Sequence, residues 1–495
     1  MKKIRNATIA AFLLVAAGWS ALWFFGRGEI DTIVDGELAR LRASGYEIEH
    51  GARTVGGFPF SYRVTYHDVT LRDPGTGTLY HLPRIAPEIN AAEPDRLTIH
   101  FPEKFRIEMP LDQAARDAMP GMPPALAVDV EASGLKVVAA GLHTPDRQFF
   151  LTADSLLAVT GDTEQPLNLA VEMTGLDAAL SQPPSGPSTG RAAMSSFEYS
   201  FTELQPVGAS TAEGSAKDLR LTISSDTGGT GFQAALAGTG TSKTAYQTGA
   251  AEGALRTLDG EGTVNGEFTY AAASTAGTLT IAHGSAELKA SSRANTAAVV
   301  SAPTPDLPSP TALGAVIAAV EFQLTTPILP RAEAAPFTLR LALDGAEPDP
   351  ALWALIDGEA KLPREPATLI VDLEGTGRIP PGAAIPRPGE AQPFEFGTLS
   401  IKTVDLSLLG ASLAARGEVA FEPVSQQPTG QVTVTLIDAL ALPGRLAEIG
   451  LIDQASAAMA MMMAETLTEP GATPAERVAR IEMTEGAMTV NGQRF

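Results

Sequence analysis

Hydrophobic and polar residues alternate with a period of two along much of the chain, which is the pattern of β-strands with one buried face. The clearest case is a run whose apolar side chains share one face of the predicted strand: Phe58, Phe60, Tyr62, Val64 and Tyr66. At Asp68 the phase shifts by one residue, because Val69 and Leu71 continue the apolar set. A phase shift inside a strand predicts a β-bulge or a bend.

The same alternation recurs in short segments separated by turns that contain glycine and proline. Examples are Phe337 to Leu343 and Val432 to Leu436. Short alternating strands joined by turns are typical of antiparallel sheets with one apolar face. The predicted fold is therefore mainly β, with extended, curved antiparallel sheets, an N-terminal transmembrane helix and a few covering helices.

The N-terminus follows a different pattern. Residues 7–25 form an uncharged apolar run behind basic residues in the first five positions. As a helix this run is about 28 Å long, close to the hydrocarbon thickness of a bilayer. Trp19, Trp23, Phe24 and Phe25 would form an aromatic belt at the outer interface. We predict a single-pass inner-membrane anchor with the bulk of the chain in the periplasm; the alternative is a cleaved signal peptide.

Two further segments predict helices. The first has apolar residues at spacings of three and four before Gly45, which indicates one amphipathic face: Ile30, Ile33, Val34, Leu38 and Leu41. The second covers residues 443–467 near the C-terminus. Its methionines are interpreted as a buried face rather than as an exposed adaptable surface: Met459, Met461, Met462 and Met463.

Segments rich in proline and small residues suggest boundaries at 181–187, 303–310 and 380–393. We predict four parts: the anchor (1–26), an N-terminal β-rich region that begins with the amphipathic helix (27–180), a Gly- and Ala-rich β region (181–302) and a C-terminal β region with a late helix (303–495). Between Thr227 and Arg293 large apolar residues are sparse. That stretch is either an edge or solvent-facing layer of a sheet, or partly mobile.

Composition narrows the function. The chain has 57 acidic and 35 basic residues, a net charge of -22, so its surface repels a phosphate backbone and no nucleic-acid partner is expected. The absence of cysteine excludes disulfides, thiolate metal sites and cysteine nucleophiles. The six histidines are scattered, and Ser133 and Lys136 match a Ser-x-x-Lys pattern without its partner motifs. We expect no metal, no cofactor and no catalytic site.

Three stretches together resemble a known family. They are the anchor with its amphipathic segment, the sequence Gly57-Phe58-Pro59-Phe60 that opens an alternating strand, and Gly417-Glu418-Val419-Ala420-Phe421 leading through Pro428-Thr429-Gly430 into a strand and a helix. They are similar to the Gram-negative membrane-anchored family catalogued as domain of unknown function 2125, and more distantly to AsmA-like envelope proteins. The resemblance implies a periplasmic, sheet-rich protein with an apolar groove for lipid.

Two functions stay open at this point, and an enzyme is a third, weaker reading because the sequence offers no set of residues with assigned catalytic roles. The first is binding of a lipid or another amphiphile on an incompletely covered apolar face, in envelope assembly or lipid transport, with inner-membrane lipid as the partner. The second is a tethered scaffold that contacts other envelope proteins and binds nothing small. For the face from Phe58 to Tyr66, a sealed core predicts that Phe60→Ala costs about 3 to 5 kcal/mol, whereas an open groove predicts little effect.

Overall fold

The structure is a computed structural model that describes residues 32, 34–36, 38–111, 123–160, 167–205, 208–226, 231–248, 265–301, 311–383, 393–484 and 487–494. The predicted fold class, mainly β with antiparallel sheets and few helices, is confirmed in these ranges. The predicted anchor, residues 1–26, lies outside them, and none of the described helices combines the length and the hydrophobicity needed to cross a bilayer. The chain divides into unit 1, residues 1–221, and unit 2, residues 222–495. The predicted division into four parts stays a prediction.

Unit 1 contains the first strands of the chain. They are β1 (Glu47–Glu49), β2 (Arg53–Gly56), β3 (Ser61–Arg72), β4 (Leu79–Asn90), β5 (Glu93–His100), β6 (Lys104–Pro110), β7 (Ala125–Ser133), β8 (Lys136–Ala140), β9 (Arg147–Thr160), β10 (Leu167–Gln182), β11 (Ser188–Gln205) and the start of β12 (Gly208–Ser225). β1 and β2 pair with β3, which pairs with β4. β5 and β6 follow end to end beside β4, and β8 and β7 join them to β9. β10 and β11 complete this antiparallel order.

The core of unit 1 lies under β3 and β4. Residues 34–36 and 38–43 are helical, as the amphipathic spacing predicts, and the segment ends at Gly45 with a φ of 93°. Val34 and Leu38 of this helix pack against a buried cluster on the two strands: Val64, Tyr66, Val69 and Leu82. Buried apolar side chains from a helix and two strands therefore form a sealed core at this point.

The structure corrects the extent of the predicted apolar face. Tyr62, Val64 and Tyr66 are 7%, 1% and 4% exposed, so this part of the face is core. Phe58 and Phe60 precede the strand, in a turn that places them 53% and 70% exposed. The turn arises at Gly57, whose φ is 98° and where a Cβ would lie 2.5 Å from the carbonyl oxygen of Ser61. The alternation of apolar and polar residues in the sequence continues through Phe58 and Phe60, but the extended backbone of the strand begins only at Ser61.

In its described residues, unit 2 is an antiparallel succession of strands with three α-helices and one 3-10 helix, Ala439–Ala441. Its elements are β13 (Phe232–Thr248), β14 (Asn265–Ala282), β15 (Ser285–Ser301), β16 (Thr311–Pro327), β17 (Ala335–Pro348), α1 (Pro350–Ile356), β18 (Ala367–Arg378), β19 (Glu395–Leu408), β20 (Ala411–Phe421), β21 (Pro428–Ile437), α2 (Leu442–Glu448), α3 (Gln454–Leu467), β22 (Glu469–Pro470), β23 (Glu476–Thr484), β24 (Ala487–Val490) and β25 (Gln493–Arg494). Each strand from β13 to β21 pairs with the next, and β23, β24 and β25 extend the order from β21.

Two expectations for unit 2 are changed by the structure. Within the stretch with few large apolar residues, β14 and β15 have neighbours on both sides, so the alternative of a sheet edge is wrong for these two strands. The alternatives of a solvent-facing layer and of partial mobility stay predictions. The late helix is interrupted after α2, because Gly450 adopts a φ of 76° and the Asp453 side chain caps α3 by accepting from the Ser456 N–H at 2.8 Å.

The predicted burial of the methionines is wrong for most of them. Met459, Met462 and Met463 are 53 to 61% exposed, whereas Met461 is half-buried. Helix α3 instead buries the stripe that starts at Ala457, which is 1% exposed and lies on the same helical face as Met461. The helix contacts α2, and Met459, Met462 and Met463 lie on its exposed side.

Several strands bend at single residues in the left-handed region. These residues are Asp68 in β3, Gly175 in β10, Asp218 in β12, Ala294 in β15 and Gly345 in β17. At Asp68 the pairs His67↔Arg84 and Val69↔Leu82 keep one register, so the predicted phase shift is a bend rather than an inserted residue. The buried set of β3 changes there from Tyr62, Val64 and Tyr66 to Val69, so the side chains switch faces at Asp68.

Two left-handed residues of unit 2 allow a test of backbone strain. Ala294 and Gly345 lie on either side of Ala318, and a Cβ on Gly345 would come within 2.9 Å of the Ala318 Cβ. Gly345→Val should reduce the free energy of unfolding by about 2 kcal/mol or more, because a β-branched residue is strained at a φ of 63°. Ala294→Gly is the control and should stay within about 1 kcal/mol of the parent. If both variants had the same effect on urea denaturation, a β-branched residue would not be strained at position 345.

Candidate functional site

A row of aliphatic side chains crosses the sheet of unit 2, one from each successive strand. The leucine row consists of Leu279, Leu288, Leu324, Leu339, Leu373 and Ile401. Residues directly opposite each other on neighbouring strands share a face, so the six side chains form one band. The band crosses six strands, from β14 to β19, and at about 4.8 Å per strand it is about 24 Å long.

Two parallel rows widen this band into an apolar face. The second row is Ala290, Phe322, Leu341, Val371 and Val404, and the third is Val320, Leu343, Leu369, Leu406 and Leu413. The large side chains of all three rows are half-buried, apart from Leu288, which is 39% exposed. The comparable face of unit 1 is sealed, with Val64 at 1%. Among the residues that the structure describes, the apolar face of unit 2 is therefore packed laterally and only half-buried.

An aromatic cluster lies at one end of this face. Phe337 contacts Phe394 and Phe396 with ring centroids 5.8 and 5.7 Å apart, and Phe396 contacts Phe421 at 5.4 Å. Phe337 stands over Gly375, where a Cβ would be 2.8 Å from the ring, so the absence of a side chain there lets the ring lie flat on the sheet. The cluster closes the end of the face formed by the first residues of β17 and β19.

Helix α1 lies at the opposite end, where it contacts β16 and β17. Its position is fixed by Asp357, which is 2% exposed and accepts from the Lys361 and Leu362 N–H groups at 2.8 Å each. Burial acts to raise the pKa of Asp357, but these N–H donors and the charges of Arg364 and Lys361 lower it overall. The carboxylate therefore stays ionised and anchors the loop that follows α1.

The other side of the same sheet is polar. Lys289 pairs with Glu287 at 2.8 Å, Arg340 with Asp372 at 3.7 Å, and Lys402 with Glu374 at 2.6 Å. The hydrogen bond to the Glu374 carboxylate raises the pKa of Lys402. The sheet thus has a charged face in water and an apolar face behind it, which is the amphipathic arrangement that alternation predicts.

A depression of about 280 Å³ lies on the polar face, between β14 and β17. Its polar lining consists of Thr278, Lys289, Ser291, Glu321, Gln323 and Arg340. Both cations already face carboxylates, so the depression has no surplus positive charge for an anion. Among the described residues, no group of three His, Asp or Glu side chains is placed to hold a metal ion. The chemistry that the geometry supports best is apolar contact on the opposite face.

The sequence-predicted site residues do not coincide with this face. Tyr62, Val64 and Tyr66 are in the core of unit 1, while Phe58 and Phe60 are exposed beside it. The predicted anchor residues Trp19, Trp23, Phe24 and Phe25 lie outside the described residues. Sequence reasoning recognised the alternation in β17 but not the leucine row, because the row joins residues that are far apart in the chain. Alternation of Leu369, Val371 and Leu373 in β18 was a further local signal.

Comparison with known proteins places the whole chain in one family. A family model described as "Uncharacterized protein conserved in bacteria (DUF2125)" matches residues 23–304 and 257–494. No curated protein and no solved structure matches the chain. The more distant AsmA-like resemblance stays a prediction. Because the two matched segments together cover nearly all of the sequence, the chain belongs to the bacterial DUF2125 family.

Proposed function

We propose that this protein is anchored in the inner membrane and binds a lipid or another amphiphile along the apolar face of unit 2, in envelope assembly or lipid transport. The observation that carries the proposal is the leucine row, whose side chains lie against each other but are not sealed by any other part of the described chain. A contiguous apolar surface that is left open is typical of a binding site. A non-enzymatic role is part of the proposal, supported by the scattered histidines and the lack of a cysteine nucleophile in the sequence.

The dimensions of the face fit an acyl chain. One leaflet of a bilayer has a hydrocarbon depth of about 15 Å, half of the usual 30 Å. The leucine row, about 24 Å long, can therefore accommodate a chain laid across the strands. The aromatic cluster around Phe337 would cover one side of such a chain, and Leu341 of the second row would lie beneath it. Contact with aliphatic side chains over this length provides affinity without requiring any charged group.

A tethered scaffold that contacts other envelope proteins is the alternative. It is favoured by the exposed Met459, Met462 and Met463 of α3, since flexible methionine surfaces adapt to protein partners. In a scaffold that binds nothing small, however, the apolar face of the sheet is expected to be covered by a second layer. The state of the apolar face in the isolated protein therefore discriminates between the two functions.

Native mass spectrometry of the chain without residues 1–26, purified without detergent, tests the proposal. We expect a species that retains a bound lipid mass, together with a fatty acid or phospholipid in the organic extract. A ligand-free species that takes up no added lipid would contradict lipid binding and favour the scaffold.

The location makes a separate prediction. Alkaline phosphatase fused after Arg27 should be active, because the basic N-terminal residues place the following chain in the periplasm, where this reporter folds. The mature protein should retain Met1 to Phe25. An inactive fusion, or N-terminal sequencing that begins near Gly18, would contradict the anchored topology.

A further inference from the structure

An exposed aromatic turn lies at one end of unit 1. Phe58 and Phe60, on either side of Pro59, are 53% and 70% exposed between β2 and β3. The segment from Thr54 to Tyr62 carries no charged side chain. This turn can therefore leave water without burying a charge, which is the requirement for entering a less polar phase.

The N-terminal helix shows which end of unit 1 this turn occupies. Asp35, near the first described residues of the helix, lies 3.6 Å from Arg53, which pairs with Tyr66 in the middle of β3. Gly45 follows the helix and lies against Pro74, which comes after the last residue of β3. A Cβ added to Gly45 would be 3.3 Å from the proline ring. The helix thus runs along β3 away from the turn, so its N-terminal end points toward the turn.

Chain lengths are compatible with a predicted anchor at the same end of unit 1. Phe25, the last residue of the apolar run, precedes Asp35 by ten positions, which would span about 15 Å if the helix predicted from the sequence continued to it. Phe58 follows Arg53 by five positions, of which the three up to Gly56 lie in β2 and span about 10 Å at the rise of a strand. Both measures start from the same Asp35–Arg53 contact and lead to the same end of the unit.

We propose that the Phe58–Phe60 turn inserts its two phenyl rings into the interfacial region of the bilayer that residues 7–25 are predicted to cross. The inference rests on the proposed membrane location and adds a second, peripheral contact that fixes the tilt of unit 1 on the lipid surface. Aromatic side chains at the level of the headgroups anchor membrane proteins in this way. A single helix leaves the attached domain free to swing, whereas two contacts hold it.

Single labelled cysteines test this contact, because the chain has no cysteine of its own. Full-length Phe60→Cys and Gly75→Cys variants are labelled with a nitroxide and reconstituted in vesicles of phosphatidylethanolamine and phosphatidylglycerol. Gly75 is exposed in the turn after β3, at the opposite end of unit 1, and provides the control. We expect position 60 to be more accessible to oxygen than to a water-soluble nickel chelate, and position 75 to show the reverse. Circular dichroism confirms that both variants are folded.

Two outcomes overturn the inference, and they are distinguishable. If the protein stays with the vesicles after an alkaline wash but position 60 is as accessible to nickel as position 75, the anchor stands and the turn does not insert. If the wash releases the protein, the proposed membrane location fails together with the inference. A Phe58→Ser/Phe60→Ser variant should remain in the vesicles yet show a broader distribution of distances between position 75 and the lipid surface.

Discussion

Tyr66→Ala should reduce the free energy of unfolding by about 3 to 5 kcal/mol, the usual range for removing a large aromatic side chain from a core. Tyr66 is 4% exposed and packs in the cluster with Val34, Val64 and Leu82. Its ring also packs against His50 in a T-shaped arrangement with the ring centroids 4.8 Å apart, and the Arg53 guanidinium carbon lies 5.6 Å from the centre of the Tyr66 ring. The truncation would therefore leave a cavity between the N-terminal helix and β3, where few neighbours can move to fill it.

Phe60→Ala is the matched control, since both positions belong to the same alternating run of the sequence. Because Phe60 is 70% exposed, its truncation should change stability by no more than about 0.5 kcal/mol. Urea denaturation, with hydrogen exchange measured on β3 and β4, would separate the two variants. Similar losses at both positions would show that the Phe60 side chain is buried in the core of the folded protein.

Leu341→Gln should reduce the amount of lipid that the protein retains by about tenfold or more. Leu341 lies in the second row of the apolar face, between Phe322 and Val371. An amide placed there would lose its hydrogen bonds to water whenever an acyl chain covers it, at a cost of about 1 to 3 kcal/mol. An acyl chain provides no donor or acceptor to replace them, so the bound state alone is weakened.

Arg340→Gln is the control for this change, because Arg340 precedes Leu341 in β17 and projects from the polar face. Its ion pair with Asp372 is exposed and contributes about 0 to 1 kcal/mol at most. Lipid extracted per mole of protein should fall for Leu341→Gln and stay at the parental level for Arg340→Gln. Loss of lipid in both variants, or in neither, would show that binding does not depend on the apolar face.

The antiparallel strands and their one-sided alternation were predictable from the sequence, since both depend on neighbouring residues. The phase shift at Asp68 was also visible, because a left-handed residue changes which side chains follow on a face. The start of β3 was not, since Gly57 forms a turn that the pattern of Phe58 and Phe60 ignores. In α3, composition could not reveal that Ala457 is buried while most of the methionines are exposed.

The apolar face of unit 2 was beyond local reasoning for a different reason. Leu279 and Ile401 join one row only through the registers of five successive strand pairs. Each register depends on turns and bulges, such as the shift between Asp372 and Leu373, that periodicity does not specify. Whether the face is sealed depends on what lies above it. Alternation reports only that one side of a strand is apolar.

Photocrosslinking from the apolar face tests the central claim most directly. Benzoylphenylalanine is placed at Leu341 of the full-length protein, and at Arg340 as the control on the opposite face. Cells are irradiated, and adducts on the purified protein are identified by mass spectrometry. The account predicts a lipid adduct at position 341 and none at position 340. A protein adduct at position 341, or lipid adducts at equal yield from both faces, would contradict it.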